Sequence, residues 1–175
     1  MSSQYNKTVA DDTFTTFDVT PADAPFPLTE FIFLGFLSFI AFLIHAAAGL
    51  LIFLILGTLY TFVFWKTPKA NRYRSPASFK ANSAALIANG VTFPREDIHR
   101  LIMRNHVSGA EGELYGNNMA AIQMANKRAK QLAEVSYRVD VESGGKATTL
   151  AGGLTEVTAY GLLKDASAVL RFDVK

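Results

Sequence analysis

Apolar positions fill one long stretch of this chain and are spaced periodically elsewhere. Residues 31–65 contain no Asp, Glu, Lys or Arg in 35 positions. About 20 apolar helical residues cross a hydrocarbon core of ~30 Å, whereas a helix the length of this stretch reaches about 52 Å. The pattern predicts one long transmembrane helix over 31–65, tilted or continued into headgroups or a partner. A helical hairpin with arms 31–45 and 50–65, turning near His45-Ala46-Ala47-Ala48-Gly49, is the alternative. Its apex lacks Pro, Asn and Asp, and Ala is the best helix former, so the single helix is preferred. Ala46-Ala47-Ala48 has the look of a signal-peptide cleavage site. The long acidic lead-in and the apolar residues beyond it predict a retained anchor instead.

The flanks follow a different rhythm. Residues 1–30 carry the alternating run Thr13-Phe14-Thr15-Thr16-Phe17-Asp18-Val19, read as a short strand on a partner, and then Pro21, Pro25 and Pro27, which forbid a helix. Past the apolar stretch, Ser75-Pro76 opens an expected Ala-rich helix over 76–88, ended by Asn89-Gly90. A second helix is expected from Thr92 or Pro94 to His106, with Glu96 and Asp97 in its first turn. A third, over 117–134, places Met119, Ile122, Ala125 or Ala129, and Leu132 on one face. The period then changes to two. Val135, Tyr137, Val139 and Val141 alternate with Ser136, Arg138, Asp140 and Glu142 as a half-buried strand, turned by Ser143-Gly144-Gly145-Lys146. Residues 154–163 and the alternation Ala168, Leu170, Phe172, Val174 read as further strands. The expected fold is a membrane-anchored α+β protein. It has an extended tail (1–30), the transmembrane helix (31–65), a juxtamembrane collar (66–80), and a small domain (81–175) of two to three helices and a three- to four-stranded antiparallel sheet.

Charge adds a direction to this layout. The tail holds Lys7 against Asp11, Asp12, Asp18, Asp23 and Glu30, while residues 66–175 hold 16 basic and 10 acidic residues. Lys66, Lys69, Arg72, Arg74 and Lys80 follow the apolar stretch with no acid among them. Bases beside a membrane end mark the cytoplasmic side and attract anionic headgroups. The expected placement is therefore a bacterial inner membrane, with the N-terminus outside and the C-terminus in the cytoplasm. Overall, 18% of residues are charged, below the ~25% of ordinary soluble domains, which excludes a water-soluble enzyme of ordinary composition.

Within the apolar stretch, Ser38, Ala41, His45 and Ala48 recur at 3-4-3 spacing, stacking small and polar groups in one seam suited to another helix. His45 is the one ionisable group at membrane depth. It reads as a neutral imidazole bonded across helices rather than a proton path, because no acid accompanies it.

Chemical motifs are sparse. Glu96, His99 and His106 share a face of the expected second helix at spacings of three and seven. The Glu-x-x-His pair is half of a di-iron ligand set, and the sequence has only one such pair where a site needs two plus two more carboxylates. Gly109-Ala110-Glu111-Gly112 lacks the Lys-Ser/Thr of a phosphate loop and carries acids that repel phosphate. Lys127-Arg128-Ala129-Lys130 has no interleaved aromatics for nucleic acid. With no cysteine there is neither a disulfide framework nor a thiolate site. No cofactor, metal, nucleic acid or small-molecule substrate is expected. The partners expected are a lipid bilayer and other membrane subunits, or copies of the chain itself through the seam. The function expected is a non-enzymatic structural or assembly subunit of a multiprotein membrane complex, laid out like parts of secretion or conjugation machines. The alternatives are a self-assembling homo-oligomeric ring or channel, or a membrane protein of a lipid-containing virion.

Overall fold

The computed structural model describes residues 2–10, 14–25, 28–61, 71–107 and 119–172. Its first sheet begins in the acidic tail. Strands β1 (Gln4–Ala10) and β2 (Phe14–Thr20) pair antiparallel, so the Thr/Phe run finds its partner within the chain. β2 then pairs with β3 (Ala77–Ala81), with Thr15 opposite Ala81 and Val19 opposite Ala77. β4 (Ala85–Ala88) and β5 (Val91–Pro94) complete a five-stranded sheet in the order β1-β2-β3-β4-β5. Phe17, Val19, Phe79, Ala81, Leu86 and Ala88 are buried, while Asp18, Thr20, Ser78 and Lys80 are exposed, the period-two alternation of a half-buried sheet. Phe17 and Phe79 face each other across the β2–β3 register with ring centroids 4.9 Å apart.

Two turns explain why the expected helix over 76–88 is replaced by strands. The Asn82 side chain accepts from the backbone N–H groups of Ala84 and Ala85 at 2.9 and 2.7 Å, closing a turn in the middle of that segment. Asn89 and Gly90 then take φ +51° and +76°, the left-handed pair of a tight β-hairpin rather than a helix end. The helix expected over 94–106 is likewise absent. Arg95–Asp97 make one 3-10 turn, and Ile98–Asn105 are strand β6.

The second sheet has the order β6-β7-β8, with β7 spanning Tyr137–Ser143 and β8 spanning Lys146–Leu154. Helix α3 (Met119–Glu134) connects β6 to β7, close to the span its apolar spacing predicts. The expected strand over 154–163 is instead the start of helix α4 (Glu156–Val169), whose N-cap Thr155 accepts from the Thr158 N–H. Ala159, Leu162, Ala166 and Leu170 are fully buried at 3-4-4 spacing, a helical stripe that outweighs the local alternation of 168–172. Val174 lies outside the described residues. One core joins both sheets and α4, with Val139, Val141, Leu150 and Leu154 from the second sheet meeting the Phe17–Phe79 side of the first. The N-terminal strand fastens α4 from outside. Ser3 Oγ accepts from the Thr155 N–H at 2.9 Å, and the Tyr5 hydroxyl donates to Asp165 at 3.1 Å.

Between β2 and β3 the apolar stretch leaves and returns. Helix α1 (Leu28–Ile44) has 17 residues and helix α2 (Ala46–Tyr60) has 15, about 26 and 22 Å of helix. Among the described residues no helix is long and apolar enough to cross a membrane. This overturns the single transmembrane helix over 31–65 and the integral inner-membrane placement built on it. The sheet contradicts the crossing independently. Strands on the two flanks of the apolar stretch are hydrogen-bonded neighbours, so the tail and the chain beyond residue 76 belong to one body. An N-terminus outside and a C-terminus in the cytoplasm are incompatible with that pairing. Bases after the stretch and acids before it therefore report no topology here. The fold is a small α+β domain with two antiparallel sheets and, among the described residues, four α-helices.

Candidate docking surface

His45 alone separates the two apolar helices. Its backbone is extended (φ −156°, ψ 111°), its N–H still closes α1 on Ala41 O at 2.9 Å, and its carbonyl accepts the Gly49 N–H at 3.1 Å to open α2. One extended residue between two hydrogen-bonded ends is enough to turn the chain. Residues seven apart in a continuous helix stand about 10 Å apart. Here a Cβ added to Gly49 would lie 2.5 Å from the backbone N and Cα of Phe42. Only a residue without a side chain permits that approach, so Gly49 lets α2 fold back on α1.

The seam residues separate on folding. Ser38 is buried between the helices and donates to Leu34 O of its own helix at 2.8 Å, and Ala41 is half-buried. His45 and Ala48 are exposed near the tip. The small positions on α1 are thus partly used inside the chain, against its own second arm.

The remaining surface of the hairpin is hydrocarbon. α1 and α2 pack on each other and on no other element to a comparable extent. Among the described residues, seventeen large apolar side chains of the hairpin are exposed, including Phe33, Phe36, Leu43, Ile44, Leu50 and Leu59. At roughly 180 Å² for a fully exposed side chain, their exposure amounts to about 1,700 Å². A typical monomer's largest apolar patch is about 300–600 Å².

The chain on either side of the hairpin is joined by one half-buried network. Arg74 Nη1 donates to Ala22 O at 2.7 Å and Nη2 to Val135 O at 2.8 Å, with Ser136 Oγ at 3.4 Å. The Ala22 N–H donates in turn to Gly153 O at 2.8 Å. Arg74 therefore ties the chain entering the hairpin to the chain leaving it, and both to the start of β7. Burial pushes its guanidinium below the usual arginine range, and Asp23 acts in the opposite direction. Tyr73 precedes it at φ +63°, a left-handed conformation uncommon for a bulky residue. Its ring lies 4.7 Å from the Arg138 guanidinium and 5.7 Å from the His106 ring, which meets it edge-on. Arg138 also pairs with the almost fully buried Asp140 at 3.1 Å.

β8 makes room for this cover. A Cβ on Gly152 would lie 2.5 Å from Tyr73 Cβ, and one on Gly153 would lie 2.7 Å from Arg74 Cγ and 2.9 Å from Pro21 Cβ. Asp140 on β7, and Ser136 just before it, are buried although the alternation assigns both to solvent.

The predicted basic collar is dispersed. Lys66 and Lys69 lie outside the described residues. Arg72 is exposed with its guanidinium 5.2 Å from the Tyr73 ring centre, Arg74 is consumed by backbone carbonyls, and Lys80 is exposed on β3 opposite Thr16 and Ile87. Nor are the metal candidates gathered: Glu96 lies in the 3-10 turn, His99 is exposed on β6, and His106 Nδ1 sits 2.7 Å from Ser136 O. Among the described residues no group of three or more His, Cys, Asp or Glu could hold a metal ion. Gly109-Ala110-Glu111-Gly112 lies outside the described residues. Gly49 lies in the turn segment of the alternative hairpin, whereas Tyr73 and the close approach at Gly152 and Gly153 have no periodic signal in the sequence. No known protein family matches the chain, and neither a curated protein nor a solved structure is similar to it.

Proposed function

We propose that this chain is a non-enzymatic structural subunit of a multiprotein complex, with the α1–α2 hairpin as its assembly element and the two-sheet body as the platform. The observation that supports this reading is the hairpin's apolar surface, about three times the largest patch of an ordinary monomer. A helix that is apolar on all sides belongs in the interior of something larger. The Arg74 network supports the same reading, because it ties the chain before the hairpin, at Ala22, to the chain after it, at Arg74, on the body.

The test is the mass of the complex released gently from its native source, with every subunit identified. The expected result is a complex containing this 19.1 kDa chain together with further protein chains, identical or different. Recovery of one copy with no protein companion overturns the proposal. A second arm replaces residues 28–60 with a Gly/Ser linker. Companions that stay bound to that variant overturn the assignment of the hairpin as the assembly element.

A further inference from the structure

We infer that the hairpin's partner is a second copy of this chain, and that two hairpins close face to face into a four-helix bundle. The inference rests on the assembly role proposed above and names the occupant. Two helices packed side by side form a layer, and a layer leaves both of its faces bare. Covering one face of each hairpin removes about half of its exposed apolar surface, roughly 850 Å² per copy. The sum over two copies is about 1,700 Å², within the 1,200–2,000 Å² of stable, specific interfaces. Two hairpins joined face to face make a four-helix bundle, in which every helix contributes to one shared core.

The chemistry of the surface favours a copy over a different chain. Selecting a foreign partner relies on charge patterns or buried polar contacts. Residues 31–59 offer no Asp, Glu, Lys or Arg. The Ser38 hydroxyl is spent on its own helix, and the exposed polar groups are confined to His45 at the tip and Thr58 near the end of α2. A two-fold pairing needs only that one patch complement itself, and two-fold dimers are the commonest assemblies.

Two glycines mark the level of closest approach. Gly35 stands ten residues before His45 and Gly57 twelve after it, about 15 and 18 Å along the two arms. Glycine weakens a helix interior relative to alanine. Among the described residues, an added Cβ at either position would meet no atom beyond its own turn of helix within 4 Å, so neither glycine accommodates the facing arm as Gly49 does. A helix from outside can use the space that they leave.

The experiment uses the full chain in a mild nonionic detergent or amphipol. Native mass spectrometry should give twice 19.1 kDa. Gly35→Leu and Gly57→Leu should weaken the dimer at least tenfold while circular dichroism stays unchanged, since the chain itself has room at both sites. Because the chain has no cysteine, Gly35→Cys and Gly57→Cys offer a second readout. Each should oxidise to a covalent dimer, whereas Val157→Cys, exposed on α4, should not. One copy bound to different protein chains overturns the homotypic pairing and leaves the assembly role standing. One copy carrying only lipid or detergent, both here and in material from the native source, overturns both. A dimer with undiminished affinity in both leucine variants overturns the bundle face.

Discussion

Removing the Arg74 guanidinium should loosen the base of the hairpin while sparing the far side of the core. Arg74→Met keeps most of the apolar stem and deletes the donors. Two short bonds are lost, to Ala22 O at 2.7 Å and Val135 O at 2.8 Å, while the 3.4 Å contact to Ser136 counts for little. A hydrogen bond from a charged donor is worth about 1.5–3 kcal/mol when its partner is left dry. Arg74 is half-buried, so water reaches part of the vacated site and the low end applies to each bond, giving about 3 kcal/mol in all. Ser136 does not report the loss, because its hydroxyl also donates to Leu132 O. The amide of Ala22 is the local probe, since its bond to Gly153 O at 2.8 Å depends on the same docking. Hydrogen exchange resolved by mass spectrometry should show that amide exchanging about 100-fold faster in the variant, as 3 kcal/mol of local opening requires. The amides of Ala159 and Ala166 in α4 should change far less. Arg74→Lys should recover less than half of the protection, because a single ammonium cannot span two carbonyls as the planar fork does. Full recovery by lysine would show that only the charge matters, and unchanged exchange in the methionine variant would refute the clamp.

Alkaline titration tests the attachment of β1 to α4. Burial, and then the charge and hydrogen bond of Asp165, raise the Tyr5 phenol above its ordinary 10.0. A raised folded-state value means that this contribution is whole below about pH 10 and is lost as the pH climbs through the folded-state pKa. Urea midpoints of wild type should fall more steeply than those of Tyr5→Phe above pH 10, and parallel profiles would count against the contact. Gly152→Ala should destabilise the fold by about 2–3 kcal/mol, because its Cβ meets Tyr73 backbone and Cβ atoms rather than a movable side-chain end. Denaturant unfolding measures this cost, and a shift below half a kilocalorie would mean that Tyr73 does not land on β8 as described.

Composition and local spacing determined a good part of this protein. The uncharged stretch foretold helix on both sides of His45, over 31–44 and 46–60, and the amphipathic spacing of 119–132 foretold α3. The run Val135–Glu142 with its Ser143-Gly144-Gly145-Lys146 turn foretold β7 and the hairpin into β8. Such features are local, because a period of 3.6 or 2 and a turn dipeptide act within a few residues of themselves. Tertiary structure decided the rest. Asn89-Gly90 ends a helix or turns a hairpin with the same two left-handed residues, and only the pairing of β4 with β5 selects the hairpin. Alternation in 168–172 competes with the stripe Ala159, Leu162, Ala166 and Leu170, and a core shared with both sheets selects the helix. A long apolar run looks the same whether it crosses a membrane or doubles back. Its course was set by Gly49, whose missing side chain admits Phe42, and by the pairing of Val19 with Ala77, which returns the chain to the sheet it left. Contacts between residues more than fifty positions apart leave no periodic trace in a single sequence. For that reason the place where the hairpin begins and ends was written in β2, β3 and Arg74 together, and could be read only once they met.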